Sequence, residues 1–578
     1  MENAAIARLL ADIADLLEIK GENAFKVRAY RNASWTVADC PERLADQPPE
    51  RLRDLPGIGR DLAARIREAV DTGGIAYHRE LLTEFPAGIL DVLRLQGVGP
   101  KTVALLHAQL GVGSLDDLEA AARAGRLRGI KGMGAKKEAL VLKAIEERRR
   151  FAGRHLLPEA AATADALVAW LRPQFPAATL DLVGSLRRGA ETVGDLDILA
   201  CGAGPEVMDA FTRHPLVERV LARGDTKSSV LLVKGYQADL RLVPPASRGA
   251  AQQYFTGSKA HNIALRDRAL QRGWKLNEYG LYNNADERPI AGESEEGIYA
   301  ALGLDWVPPE LRECRGELEA AAAHRLPHLV SLADIRGDLH AHTDESDGRD
   351  TILDMARAAR DLGYEYLAIT DHSQALAMAN GLDEPRALQH AARIRAAARE
   401  VEGLTLLAGI ECDIRPDGTL DLADDCLAQL DLVVVSVHSA FAQSPAEMTA
   451  RVLRALENRW VDVLGHPTGR LLLRREPYGL DLEPVIAAAA RLGVALEINC
   501  QADRLDLNDA AARLAHERGA GIVIATDAHS RAALGTMRWG VTVARRAWLP
   551  PAAIWNTRGV EEFRAGLRRH RSAQPTLR

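Results

Sequence analysis

The sequence lacks long apolar runs: no stretch of its 578 residues approaches the roughly 20 uninterrupted apolar residues of a membrane-spanning helix. The first 20 residues carry acidic side chains throughout and no cleavage-site pattern, so we expect no signal peptide. Cysteine is scarce and forms no CxxC pair; the six are Cys40, Cys201, Cys314, Cys412, Cys426 and Cys500. These absences argue against a disulfide framework and a cysteine-based zinc site, and they favour the reducing cytoplasm.

The chain also lacks an excess of positive charge. Its formal net charge of −7 argues mildly against a nucleic-acid binder, because proteins that track phosphates usually present a basic face. The charge is uneven, however: residues 1–150 hold 24 Lys and Arg against 22 Asp and Glu, and the remainder carries a net −9. An acidic excess in the later part fits a carboxylate-rich metal region as well as it fits a solubilising surface.

Three similar glycine turns punctuate the first 150 residues. Each turn (Leu55–Gly59, Leu95–Gly99 and Ile130–Gly134) follows a helical pattern and opens another. This predicts an internal repeat of helix, tight turn and helix. At about 150 residues per domain, the length predicts three or four domains. We divide this first region into two helical domains, residues 1–80 and 81–150.

The remainder of the chain has two patterns of predicted secondary structure. Short β-like runs alternate with helical stretches over residues 151–318, which predicts an α+β domain, and segment 319–333 is expected to be a linker. Over residues 334–578, strand-length apolar runs alternate with amphipathic helices, as in a parallel β/α architecture. Six of the seven runs are followed within two residues by a histidine or an acid. Because β/α barrels carry catalytic groups at strand ends, we expect a barrel of about seven units.

Two aspartates form the centre of the middle domain. Asp195 and Asp197 project to the same side of a predicted strand, where like charges repel unless a divalent cation lies between them. Asp239, in a second β-like run, is a candidate to complete the site. Gly184-Ser185 offers backbone N–H groups to a phosphate, and Arg188 adds positive charge. The set predicts two-metal phosphoryl transfer, with a solvated strand edge as the alternative.

These residues resemble the palm of the family X DNA polymerases, and the resemblance covers residues 1 to about 315. Gly184-Ser-Leu-Arg-Arg-Gly189 followed by Gly194-Asp-Leu-Asp197 matches the palm motif, and Tyr254-Phe-Thr-Gly-Ser258 matches the nucleotide-pocket motif. The resemblance implies that Asp195, Asp197 and Asp239 are catalytic and hold two Mg²⁺ or Mn²⁺ ions. It also implies contacts to the incoming nucleotide from Gly184, Ser185, Arg188, Gly189, Tyr254, Phe255, Gly257, Lys259 and Asn262, and to the template from Arg266.

Three positions depart from the family pattern. Lys259 stands where vertebrate relatives place an acid, and Gln237 replaces an arginine that orients the third carboxylate, which leaves fidelity and metal preference open. Some members remove a 5′-deoxyribose phosphate with a Schiff-base lysine, and that position aligns with Arg65. A guanidinium is too basic to act as that amine, so we expect little or no lyase activity there, with Lys26 as another candidate nucleophile.

The glycine turns resemble the helix-hairpin-helix motif, in which backbone N–H groups beside a helix N-terminus bind a DNA phosphate independently of base sequence. On this resemblance the DNA-binding glycines are Gly57, Gly59, Gly97 and Gly99. An ordinary αα-hairpin is the alternative for a single copy. Two clear copies and the looser third favour DNA.

Histidines and acids gather at the run ends of the last domain. A lone histidine at a strand end is usually structural, but nine nitrogen and oxygen ligands with no thiolate predict a site for several zinc, manganese or iron ions. The nine are His340, His342, Asp347, His372, Glu411, His438, His466, Asp527 and His529.

This pattern resembles the polymerase-and-histidinol-phosphatase (PHP) domain, a seven-stranded β/α barrel with a trinuclear centre, over residues 334 to about 570. The resemblance implies Zn²⁺ and/or Mn²⁺ as cofactors, and relatives with this fusion show 3′→5′ exonuclease and 3′-end-processing activity. It implies one ion on His340, His342, Glu411 and Asp527, a second on Glu411, His438 and His466, and a third on Asp347, His372 and His529.

We therefore expect a multidomain chain with an α-helical helix-hairpin-helix N-terminal region, an α+β nucleotidyltransferase palm and a C-terminal (β/α)7 PHP barrel. The expected partners are gapped or primer-template DNA and dNTPs, with no membrane, in a monomer that is cytoplasmic and nucleoid-associated. One rival function is hydrolysis of a small phosphate ester beside a vestigial palm, and another is non-catalytic DNA-end binding. The hairpins and the intact ligand sets favour the polymerase.

Overall fold

The computed structural model describes residues 3–40, 44–48, 51–53, 55, 57–86, 88–93, 95, 98–151 and 153–568. They form two compact units, Met1–Ala152 and Gly153–Arg578. In the described ranges, no helix combines the length and the apolar character needed to traverse a bilayer.

The first unit is helical. Helix α3 (Arg60–Thr72) shows how the sequence produces such a helix. Apolar residues recur at helical spacing and form its buried face: Leu62, Ala63, Ile66 and Ala69. Gly73 ends the helix in the left-handed conformation. The helices are α1 (Asn3–Lys20), α2 (Ala24–Asp39), α3 (Arg60–Thr72), α4 (Ala76–Thr83), α5 (Ile89–Leu93), α6 (Pro100–Leu110), α7 (Leu115–Arg123) and α8 (Ala135–Phe151).

The second unit begins with a five-stranded mixed sheet, the palm region, with strand order β2-β4-β7-β6-β5. Among the neighbouring strand pairs of this sheet, only β4 and β7 run parallel to each other. Helices α9 and α11 pack on the sheet. Strand β5 is an exposed edge strand without an apolar pattern, so the sequence gives no strand signal there. The elements are β1 (His155–Leu156), α9 (Leu157–Leu171), β2 (Thr179–Leu182), α10 (Gly184–Arg187), β3 (Thr192–Val193), β4 (Asp195–Cys201), α11 (Glu206–Thr212), β5 (Val217–Arg223), β6 (Lys227–Leu232) and β7 (Gln237–Val243).

A small antiparallel sheet, β10-β9-β8, follows with the helices that surround it. Its core contains residues from α12, α13 and α14 and from the chain that runs on to Leu329. The elements are α12 (Arg248–Thr256), α13 (Lys259–Gln271), β8 (Trp274–Asn277), β9 (Gly280–Asn283), β10 (Pro289–Ala291), α14 (Glu295–Ala301) and α15 (Glu317–Ala322).

Residues 319–333, expected to be a linker, are instead packed structure. Helix α15 starts before this segment, and Leu329 is buried in the core of the small sheet. The backbone N–H of Val330 donates to the carbonyl of Leu549 at 3.0 Å, which ties the segment to the last domain. The alanines that resembled a spacer form a helix with one buried face, so this segment joins the two parts within one compact unit.

The last domain is the predicted barrel. Seven parallel strands pair in chain order from β11 to β17, and a parallel bridge between Ala341 and Ala528 brings the two ends of the sheet together. The elements are β11 (Gly337–Asp338), α16 (Ile352–Asp361), β12 (Tyr366–Ile369), α17 (Glu384–Ala397), β13 (Thr405–Asp413), α18 (Asp424–Leu427), β14 (Leu432–Ser436), α19 (Pro445–Glu457), β15 (Val463–Leu464), α20 (Leu482–Leu492), β16 (Ala495–Asn499), α21 (Asp509–Glu517), β17 (Gly521–Ala525), α22 (Met537–Arg546) and α23 (Val560–Gly566).

Candidate active sites of the palm region and the barrel

Two neighbouring parallel strands carry the three aspartates of the palm region. Asp195 and Asp197 start β4, Asp239 lies in β7, and the register pairs Asp197 with Asp239. Burial, together with the charges of the other two carboxylates, raises the pKa of Asp197 to about 6. A divalent cation between the carboxylates would relieve this repulsion, so the three residues fit a metal site.

Asp239 has a partner that the sequence did not indicate, Lys227, beside the expected neighbour Gln237. Lys227 Nζ lies 2.7 Å from Asp239 Oδ2, and Gln237 Nε2 donates to Asp239 Oδ1 at 3.2 Å. Burial alone would raise the pKa of Asp239, but hydrogen bonds from Lys227, Ser229 and Gln237 hold it below its ordinary value. Gln237 therefore contacts this carboxylate, at the position where the resemblance implies an arginine in vertebrate relatives.

The loop before these aspartates contains the one-turn helix α10. Gly184 has φ +70°, and a Cβ there would lie 2.7 Å from Asp197 Oδ2, so a larger residue would collide with the carboxylate. Ser185 is half-buried, and its carbonyl accepts from the N–H of Ala190 at 3.0 Å. Gly189 has φ +64° and ends the turn. The backbone thus approaches the carboxylates closely, as a triphosphate site requires.

The nucleotide-pocket motif lies at the end of α12. The rings of Tyr254 and Phe255 meet edge to face with centroids 5.1 Å apart, and the Arg241 guanidinium lies 4.4 Å from the Phe255 ring centroid. Gly257 has φ +70°, and a Cβ there would lie 3.2 Å from Arg188 Nη1. The structure therefore brings this motif against the loop of α10.

Helix α13 carries the remaining predicted contacts. Asn262 Nδ2 donates to the carbonyl of Tyr254 at 2.7 Å, which fixes the pocket motif to the helix. Arg266, one turn later, donates to the carbonyl of Asn262 at 3.3 Å. Lys259 and Arg266 are exposed, so both guanidinium and ammonium groups are accessible to a ligand.

The nine candidate ligands of the barrel lie at or after the carboxyl ends of its strands. In the described ranges, three sets have ligand atoms within 4.8 Å of one another: His342, Asp347, His372 and His529; His340, His342 and Asp527; and His372, Glu411 and His438. His466 is outside these sets, but its Nε2 lies 3.0 Å from Glu411 Oε1. Among the described residues, the palm aspartates form no comparably close set, and one oxygen of Asp239 is paired with Lys227.

The chemistry of the donor set fits metal ions. Four buried ring nitrogens of this set have no hydrogen-bond partner in the part of the chain that the structure describes: His340 Nε2, His342 Nδ1, His438 Nδ1 and His466 Nδ1. His372 Nδ1 and Glu411 Oε2 lie 2.8 Å apart. Buried polar atoms rarely stay unsatisfied, and imidazole and carboxylate groups are the ligands that zinc and manganese accept.

The ionisable groups within the barrel centre strongly shift one another's pKa values. Burial, reinforced by the neighbouring His529 and His372, lowers the pKa of His342 to about 4. Burial would also lower the pKa of His372, but Glu411 and Asp347 raise it to about 10. Some imidazoles thus share protons with carboxylates and others stay neutral, which is the electrostatic pattern of a site built for cations.

Glu497 is a buried residue of this centre that the sequence analysis missed. Its Oε1 accepts from His340 Nδ1 at 2.8 Å, and its Oε2 accepts from the N–H of His466 at 2.5 Å. Burial alone would lower the pKa of His340, but Glu497 and Glu411 raise it well above its ordinary value. The bond to Nδ1 leaves Nε2 of His340 for a metal. An acid within the apolar run of β16 was the available signal.

The described glycines of the hairpins in the first unit have free space around them. A Cβ at Gly57, Gly59 or Gly99 would meet nothing within 4 Å; Gly97 lies outside the described residues. Gly59 and Gly99 have φ of −78° and −83° and precede α3 and α6. Because neither backbone conformation nor internal packing requires glycine at these two positions, the open N-termini fit close approach by a ligand.

Arg65, which aligns with the Schiff-base lysine of some family members, also has a defined environment. The Arg65 guanidinium lies 4.4 Å from the ring centroid of Tyr77, and Lys26 Nζ lies 2.8 Å from the Tyr77 hydroxyl. The arginine and the alternative lysine therefore share one aromatic neighbour.

Comparison with known proteins finds matches to several parts of the chain. Family models match for a helix-hairpin-helix domain (residues 1–75), a SAM-like helix-hairpin-helix tandem (89–147), a DNA polymerase beta thumb (251–313) and a PHP domain (338–500). The DNA polymerase/3′-5′ exonuclease PolX of Bacillus subtilis (strain 168) is 38% identical over 573 residues, which cover 99% of this chain and 100% of that protein. The chain belongs to the family X DNA polymerases with a PHP domain.

The barrel also resembles separate proteins. Probable phosphatases of Shewanella sp. (strain MR-4) and Thermoanaerobacter sp. (strain X514) are 35% and 28% identical over 229 and 231 residues, in each case 38% of this chain. The PHP match ends at residue 500, before Asp527 and His529. The fold of this family X member brings those two residues to the same centre as the other seven.

Proposed function

We propose that this chain is a DNA-directed DNA polymerase that also removes nucleotides from 3′ ends. Synthesis is assigned to the palm region and the exonuclease to the barrel. The observation that carries the proposal is the presence of two separate acidic centres in one chain, within a full-length similarity to a protein named as both polymerase and exonuclease. We further propose that the physiological role is filling short gaps and cleaning 3′ termini during DNA repair.

In the palm region, Asp195, Asp197 and Asp239 would hold two Mg²⁺ or Mn²⁺ ions, which suit carboxylate oxygens. When bound, such ions activate the attacking 3′ hydroxyl and neutralise the triphosphate. The backbone of Gly184–Gly189 and the Arg188 guanidinium bind the phosphates. Tyr254 and Phe255 lie against the sugar of the incoming dNTP.

The remaining residues of the pocket align the substrates. Gly257 lets the pocket motif approach Arg188, and Asn262 fixes that motif to α13. Lys259 and Arg266 are exposed on α13, and we propose that they contact the base pair and the template.

In the barrel, the nine ligands would hold up to three ions, Zn²⁺ and/or Mn²⁺. When bound, such ions would activate water for attack on phosphorus and neutralise the charge of the phosphate oxygens. Glu497 orients His340 through Nδ1, and the partly exposed Asp347 and His529 leave the centre open to substrate and water.

The hairpin glycines Gly57, Gly59, Gly97 and Gly99 bind the DNA backbone on gapped or primer-template DNA. We propose a monomer that acts in the cytoplasm at the nucleoid. No step of the mechanism needs a second copy of the chain, because both centres are built from residues of one chain.

The match of the barrel to probable phosphatases supports a second candidate, hydrolysis of a small phosphate ester. One experiment separates the candidates: the chain is incubated with Mg²⁺ or Mn²⁺ and either one-nucleotide-gapped DNA, a 5′-labelled single strand, or a small aryl phosphate. The proposal predicts gap filling with dNTPs and shortening of the label strand without them. Hydrolysis of the aryl phosphate with neither DNA activity would support the second candidate.

A further inference from the structure

The barrel contacts the nucleotide loop of the palm region through α22. We use this name for residues 184–191, which include α10. Arg546 Nη1 donates to the carbonyl of Arg188 at 2.8 Å and to Glu313 Oε1 at 3.0 Å. Arg188 Nε donates to the same oxygen of Glu313 at 3.1 Å. One carboxylate oxygen therefore joins an arginine of the barrel to the arginine that the proposed function assigns to the triphosphate.

Arg546 is itself held in place. Its Nη2 lies 2.9 Å from Asp509 Oδ2, and Arg315 Nη1 lies 3.0 Å from the same oxygen. The Arg546 side chain is only 8% exposed. Burial alone would lower the pKa of Arg546, but Asp509 and Glu313 raise it, so the guanidinium is charged. A buried, charged and doubly anchored group has little freedom to move.

A second residue of α22 closes on the same loop. A Cβ at Gly189 would overlap Thr542 Cγ2, so the barrel helix lies directly against the turn that ends the loop. On the other side, Arg470 of the barrel makes a two-fold ion pair with Glu191, with N–O distances of 2.9 and 2.5 Å. The loop is thus in contact with barrel side chains at three successive points.

Arg188 is oriented by the protein and keeps donors for a ligand. Its Nη1 donates to the carbonyl of Thr256 at 2.5 Å, in addition to the bond from Nε to Glu313. These bonds engage two of the five N–H donors of a guanidinium. Of these two acceptors, Thr256 offers a backbone carbonyl and Glu313 a side-chain carboxylate, and Arg546 binds the same oxygen of that carboxylate.

We propose that Arg546 is a positioning residue for nucleotide binding in the palm region. It holds the Arg188 guanidinium through Glu313 and the loop backbone through the Arg188 carbonyl. This inference rests on the proposed polymerase function, in which Arg188 binds the triphosphate. It means that the barrel contributes to synthesis through packing, independently of its own metal centre.

The test measures kcat and KM for a single dNTP on primer-template DNA, with R546Q against R545Q as the matched control. Arg545 is on the same helix and also bridges parts of the unit, to Glu310 at 2.6 Å and the Val330 carbonyl at 3.0 Å, but it does not touch the loop. R546Q is expected to raise KM about tenfold, the size of one lost charge-assisted hydrogen bond, with a smaller change in kcat. R545Q is expected to leave KM within about twofold.

Further variants keep the test decisive. E313Q removes the same bridge from the other side and is expected to raise KM similarly, and the R546Q E313Q double variant is expected to have the KM of a single one. Exonuclease activity is expected to persist in all of them, which shows that the barrel is folded. If R546Q does not fold, E313Q decides. An unchanged or lowered KM, or equal effects of R546Q and R545Q, would overturn the inference. Absence of synthesis in the wild type would instead reject the proposed function itself.

Discussion

Lys227 Nζ lies 2.7 Å from Asp239 Oδ2, so the third carboxylate of the palm region is paired with an ammonium group. That oxygen is one that a divalent cation would use. Lys227 is 43% exposed, and it can therefore be displaced at modest cost.

We predict that Lys227→Gln lowers the Mg²⁺ concentration that half-saturates synthesis by about two- to fivefold, since an exposed ion pair is worth up to about 1 kcal/mol. The measurement is primer extension against Mg²⁺ concentration. Lys234→Gln, on the exposed turn after β6, is the control and is expected to have no effect. A higher Mg²⁺ requirement in Lys227→Gln would show that the lysine assists the metal site rather than competing with it.

Glu497→Gln is predicted to weaken metal binding in the barrel by about 10- to 100-fold, because the amide no longer anchors His340 with a negative charge. Exonuclease activity titrated with Mn²⁺ measures the change, and synthesis by the same protein is expected to be retained. Glu517→Gln, whose carboxylate pairs with Arg513 on the surface of α21, is the control. Equal Mn²⁺ dependence of the two variants would contradict the role of Glu497.

A buried ion cluster gives the stability of the second unit a predicted pH dependence. Glu295 accepts from Arg312 at 2.6 Å and from Arg187 at 2.8 Å. Burial alone would raise the pKa of Glu295, but the two arginines lower it to about 2, from 4.5. The carboxylate therefore stabilises the fold fully above pH ~4.5, and this contribution is lost as the pH falls toward ~2.

Glu295→Gln is thus expected to lower the free energy of unfolding by roughly 3 kcal/mol at pH 7 and by about 1 kcal/mol at pH 3. Urea denaturation followed by tryptophan fluorescence measures both values. Glu296→Gln, an exposed neighbour on α14, is expected to change neither. A loss that is the same at both pH values would mean that ionisation of Glu295 does not supply the stability.

Much of the barrel was predictable because its strands are short, apolar and followed directly by ligands. His372, for example, comes three residues after the end of β12, and His438 two residues after β14. The sequence could not show Lys227 beside Asp239, because the register between β6 and β7 depends on tertiary pairing. It also missed the packing of 319–333, where alanines alone do not distinguish a buried helix from a spacer.

Net charge was a poor guide for a related reason. Six of the acids counted in the value of −7 are candidate metal ligands: Asp195, Asp197, Asp239, Asp347, Glu411 and Asp527. Bound cations would reverse their local potential, so the formal charge overstates the repulsion of DNA at both centres.

The central claim is that two independent centres perform synthesis and 3′ degradation, and one measurement tests it most directly. Asp195→Ala and His340→Ala are each assayed on the same primer-template with a 5′-labelled primer, with and without dNTPs, beside Asp225→Ala and His516→Ala as exposed controls. We predict that Asp195→Ala abolishes extension and retains shortening, and that His340→Ala does the reverse. Loss of both activities in each single variant would contradict the two-centre account.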